Sequence, residues 1–170
     1  MPADDSRFGA VVIALDHEAG TLTVSGDGLP TVEVCRAPGT TAESHVPIGT
    51  RDPERLTLAV EGAEEALRPA KGFLTRRSYR VEVVSAWRRG YLLVPDSLGS
   101  ARLLCDGPLL GVLTSSGGGS VTAQWETESD SSRTPEPYDA SVGYALAAAF
   151  GTEAEPMWKL TLNVALELWP

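Results

Sequence analysis

Apolar and polar residues alternate through AVVIALD, TLTVSG and TVEVCR, so that within residues 10–36 every second side chain can turn to one face of a strand. HEAG lies between the first two runs with Gly20 in the turn and predicts a hairpin, and GDGLP sets off the third. RLTLAVEG places Leu56, Leu58 and Val60 on one face and ends at Gly62. SYRVEVV repeats the device with Tyr79, Val81 and Val83 inward, which also puts Arg76 and Arg80 on one strand face and Arg77 on the other, and WRRG supplies a turn before YLLVPD. SARLLCDG, PLLGVLTSSGGG and SVTAQWETE follow, divided by DG and GGG. Such spacing predicts a mainly β domain, a single antiparallel barrel or sandwich of about eight to eleven short strands. EGAEEALRPA, residues 61–70, reads as a helical turn stopped at Pro69.

The grammar changes after the polar stretch Glu128 to Asp139. In DASVGYALAAAFG, Asp139 can cap the first free N–H groups, alanines favour helix, and Gly151 stands where a left-handed residue ends one, so a helix is predicted over 139–151. Its apolar face is Val142, Ala145, Leu146, Ala149 and Phe150. PMWKLTLNVALELWP fits two templates. Its apolar residues alternate as in a strand, while Lys159, Asn163 and Glu167 make one polar stripe at helical spacing. Thr152 and Glu155 have capping-box spacing and Pro156 suits a first turn, so a buried apolar C-terminal helix is expected over 156–169, with a strand as the alternative.

At 170 residues the chain reads as one domain, β-rich over 1–130, large enough to bury about 68–70% of its unfolded surface. MPADDSRFGA is no signal peptide and no 18-residue apolar run occurs, which predicts a cytoplasmic protein with no transmembrane segment. Cys35 and Cys105 form no C-x-x-C pair and are expected to be reduced and buried. Arginine outnumbers lysine 12 to 2, a skew typical of GC-rich genomes. The net charge of −9 argues against specific nucleic-acid binding. From Arg68 to Arg102, however, the local charge is +6, leaving −15 on the rest. A charge run is commonly a solvated face, but this one is the place to look for an anionic ligand, headgroup or protein partner.

Catalytic candidates are few. His17 and His45 lie in turns, no G-x-S-x-G elbow occurs, and no His/Cys/carboxylate spacing suggests a metal. SSGGGS at 115–120 lacks the Lys-Ser/Thr of a phosphate loop and reads as a hairpin loop. No catalytic residue, metal or cofactor is assigned. Ligand-binding candidates are Arg76, Arg77, Arg80, Arg88 and Arg89 with the aromatics Trp87, Tyr91 and Trp125. The expected function is a non-catalytic binding module. The alternative is a hollow small barrel that binds or cyclises an apolar molecule between walls such as Trp87, Tyr91, Trp125, Tyr138 and Trp158.

The order of many short strands followed by an enclosed apolar C-terminal helix resembles the tubby C-terminal and LURP-one-related architecture, a β-barrel filled by its last helix. That resemblance implies a binding role, in some members for phosphoinositide headgroups, and it points to the 68–102 stretch. It carries over no individual binding residue.

Overall fold

Alternation along the chain becomes alternation of burial. In β2 (Gly9–Asp16) Val11 and Ile13 are buried, in β3 (Thr21–Gly26) Leu22 and Val24, and in β4 (Leu29–Arg36) Leu29, Val32 and Val34. The other strands among the described residues are β1 (Pro2–Asp5), β5 (Leu56–Val60), β6 (Ala63–Pro69), β7 (Val81–Val84), β8 (Gly90–Ser97), β9 (Ser100–Cys105), β10 (Leu109–Gly117) and β11 (Ser120–Trp125), and the one α-helix among them is α1 (Pro137–Phe150). This computed structural model describes residues 2–72, 76–85, 89–97, 99–127, 129 and 133–152, without the side chains of Arg76, Arg77 and Ser97. The helix-or-strand expectation for 156–169 lies outside the described residues.

Among the described residues each strand pairs antiparallel with the next, giving an 11-stranded meander rolled into a nearly closed barrel. Register shifts in β3, β8 and β10 mark bulges, which add the local twist that curvature needs. An odd number of alternating strands makes β1 and β11 run in the same direction. They lie side by side, but among the described residues no ladder joins them.

Side chains bridge this seam instead. The Asp5 carboxylate at the end of β1 accepts hydrogen bonds from Trp125 Nε1 of β11 (2.8 Å), Tyr144 Oη of α1 (2.5 Å) and the backbone N–H groups of Arg7 and Phe8 (2.8 and 2.9 Å). Trp125 stands edge-on to both Phe8 and Tyr144. A polar strand carrying a buried acid gives no hydrophobic signal, which is why β1 goes unpredicted.

α1 packs against β2, β3, β4, β8, β10 and β11, and every residue from Asp139 to Phe150 is buried. A helix apolar all round belongs inside protein. Its side chains are mostly small (Ala140, Ser141, Gly143, Ala145, Ala147, Ala148, Ala149), so a helix that would ordinarily be about 10–12 Å wide fits between the sheet walls. The Gly143 position shows how closely: a Cβ there would lie 2.7 Å from Leu103 Cδ2.

Four expectations need correction. Residues 63–69 form β6, not a helical turn, because Glu61 and Gly62 both take positive φ (50° and 79°), a two-residue hairpin turn, after which Glu65, Leu67 and Pro69 alternate inward. The helix starts two residues before Asp139. Glu136 is its cap, and the Asp139 side chain reaches back to the Glu136 N–H (2.8 Å) as the third helical residue. Arg76–Tyr79 is a 3-10 turn and the strand begins only at Val81, so the face-sharing expected of Arg76 and Arg80 does not arise. Cys105 is buried as expected, but Cys35 is exposed, its side chain falling on the outer face of β4; both are free thiols.

Candidate functional site

Polar side chains gather at both ends of α1. At its N-terminal end Asp139, fully buried, accepts from Tyr91 Oη (2.5 Å) and from Arg133 Nη2 through both oxygens (2.8 and 2.9 Å). Arg89 pairs with Glu136 at 2.7 Å and approaches Asp139 at 3.6 Å. Tyr138 stacks near Tyr91 and donates to Glu65 at 3.3 Å. Burial and the bond to Asp139 push the Tyr91 phenol well above its ordinary pKa, so it stays protonated at neutral pH. The network closes on itself and pins the helix start to β8.

The C-terminal end is open. A cavity of about 890 Å³ is lined there by residues of the loop after β4, of the β10–β11 hairpin and of the last turn of α1, together with Lys71 and Tyr79. Three contacts hold the loop in place. Arg36 donates to the carbonyls of His17, Glu18 and Ile48 (3.0, 2.8 and 2.9 Å), the His17 ring bonds Pro47 O (2.8 Å), and Ile48 N donates to Ala149 O of α1 (2.9 Å). Gly49, at φ 98°, lies so close to the Arg36 guanidinium that a Cβ would overlap it.

Arg51 is the central group. Its Nε donates to Ala70 O (2.7 Å) and Nη2 to Tyr79 O (2.6 Å), and its guanidinium lies over the rings of Tyr79 (5.5 Å) and Phe150 (5.3 Å). Among the described residues no carboxylate comes within 4.0 Å of it. Burial lowers its pKa to about 10, with Tyr79 and Glu43 working against the shift, and it remains a cation at neutral pH. Lys71 and His45, both exposed, share the lining with the hydroxyl-bearing Thr50, Ser115 and Ser116. Of the two lining acids, Asp52 is engaged as a cap for the Glu54 N–H (3.0 Å). Thr152 closes the site, donating to Gly99 O (2.7 Å) and accepting from Ser115 N (2.8 Å).

The structure disperses the residues singled out from sequence. Arg80 is exposed beside Tyr79, and Arg76 and Arg77 lie in the preceding turn. Arg89 and Tyr91 belong to the network at the other end of α1, and Trp125 to the seam. Trp87 and Arg88 lie outside the described residues. Arg51 had no signal in the sequence, because its partners are carbonyls 19 and 28 positions away. The SSGGGS loop reaches the cavity through Ser115, Ser116 and Gly117.

Among the described residues no group of three or more His, Cys, Asp or Glu is placed to hold a metal ion, and no helix is long and apolar enough to cross a membrane. Comparison with protein families, with characterised proteins and with solved structures finds no match.

Proposed function

We propose that this chain is a cytoplasmic, non-catalytic binding module that takes the anionic group of a small ligand or headgroup into the cavity at the C-terminal end of α1. The observation that carries this reading is Arg51, a half-buried cation fixed by carbonyls and aromatic rings, facing a cavity with Lys71 beside it and without a carboxylate partner among the described residues. A desolvated guanidinium favours an anion more strongly than a surface one does, and its planar donors suit carboxylate or phosphate oxygens. The volume is within the range of about 300–1,000 Å³ that small-molecule sites occupy. The position of α1, buried along its length against β2, β3, β4, β8, β10 and β11, supports a site at the end of the helix over one in a hollow interior.

Titration with inorganic phosphate at low ionic strength, followed through the backbone amides of Lys71 and Thr152, tests the reading. Saturable binding is expected, weakened about tenfold or more by Lys71→Glu, unchanged by Arg7→Glu at the seam, and falling as the Debye length shortens from about 30 Å at 0.01 M salt to about 8 Å at 0.15 M. Equal affinity in the parent and Lys71→Glu would remove the cavity from consideration. Vesicles with and without anionic lipid then distinguish a headgroup from a free anion.

A further inference from the structure

At about 890 Å³ the cavity is much larger than one carboxylate or phosphate, so most of its space faces the rest of the ligand. The exposed wall is more apolar than polar, with Val46, Pro47, Tyr79 and Phe150 contributing to it beside the hydroxyls. Two features bear on the charged part. Nε and Nη2 of Arg51 are engaged by the carbonyls of Ala70 and Tyr79, but among the described residues Nη1 makes no hydrogen bond, which leaves its two N–H groups for a ligand oxygen. The described lining residues also carry as many acids, Glu43 and Asp52, as full cations, Arg51 and Lys71. One negative charge on Arg51 is compensated there, whereas a second would be taken out of water with no third cation to meet it.

We propose that the ligand of this cavity is a monocarboxylate carrying an apolar body, its carboxylate on Arg51 and its body against the wall of Val46, Pro47 and Phe150. This rests on the anion-binding reading above and adds the ligand class: the guanidinium selects and orients the charged end, and apolar burial supplies the larger share of the affinity. Phe150 belongs to both parts, since its ring lies 5.3 Å from the Arg51 guanidinium carbon and also lines the cavity.

Four probes are titrated into the full-length protein at pH 7.5 and low ionic strength, followed through the backbone amides of Lys71 and Thr152: acetate, 3-phenylpropionate, its neutral amide, and phenyl phosphate, which is a dianion at that pH. Burial of the ring should make 3-phenylpropionate bind about tenfold or more tightly than acetate, and it should also exceed phenyl phosphate and the amide. Pro47→Ser removes an apolar ring from the wall but keeps the carbonyl that the His17 ring bonds, and it should narrow the gap between 3-phenylpropionate and acetate. Saturable binding that is weakened by Lys71→Glu but in which acetate or phenyl phosphate matches 3-phenylpropionate overturns the inference and leaves the binding reading standing. A gap that a folded Pro47→Ser leaves unchanged also overturns it. An amide that binds as tightly as the acid, or an absence of saturable binding by all four probes and by inorganic phosphate, overturns both. If Pro47→Ser fails to fold, the ranking of the four probes in the parent decides alone.

Discussion

Asp5 holds together three parts of the molecule that the backbone leaves unjoined: the end of β1, Trp125 on β11 and Tyr144 on α1. Burial acts to raise its pKa, but the hydrogen bonds from Tyr144, Trp125, Phe8 and Arg7 outweigh it and hold the carboxyl below its ordinary 3.8. Because the folded pKa is the lower one, this stabilisation is fully present above the unfolded value and is lost as pH falls through the folded one. Asp5→Asn puts an amide N–H or a second donor against Trp125 or Tyr144 and should cost about 2–4 kcal/mol in urea unfolding at pH 7. Tyr144→Phe removes one donor and should cost less, about 1–2 kcal/mol. The difference between parent and Asp5→Asn should narrow below about pH 4, and an undiminished gap at pH 3 would place the stabilisation elsewhere.

α1 illustrates what an element can reveal in sequence and what it cannot. Alanine content and Gly151 located the helix, and Gly151 does take φ 73° at its end. The start was misplaced because both Glu136 and Asp139 can serve as caps, and the choice depends on Arg133, Tyr91 and Arg89 arriving from other parts of the chain. Strand positions and inward faces from β2 to β5 were legible, since period-two burial is a local pattern. Within the candidate site Lys71, Tyr79, His45, the serine loop and the helix end at Phe150, Gly151 and Thr152 fell in stretches that sequence had marked, while Arg51 depends on contacts set by the barrel's closure. Close packing of the element makes a sharp prediction. Gly143→Val adds a branched side chain facing Leu103 and should destabilise by about 1–3 kcal/mol despite removing a helix glycine, measured as a lowered denaturation midpoint.

For the whole molecule, α1 is the element against which β2, β3, β4, β8, β10 and β11 all pack. Burying Val142, Tyr144, Leu146 and Phe150 at about 1.5–3 kcal/mol each supplies roughly 6–12 kcal/mol, comparable to the entire stability of about 5–15 kcal/mol expected of a domain. A chain ending at Thr134 retains all eleven described strands, yet it should lose its cooperative thermal transition and bind hydrophobic dyes. A sharp transition near that of the parent would show that the sheet closes unaided. The position of α1 after β11 also sets an order of events on the ribosome. All eleven described strands leave the exit tunnel before the helix that packs against them, and each new hairpin exposes an apolar inner face with nothing yet to cover it. Folding of the nascent chain therefore has to wait for α1 to be translated, and during that wait the growing sheet is a natural client for chaperones that bind exposed strands.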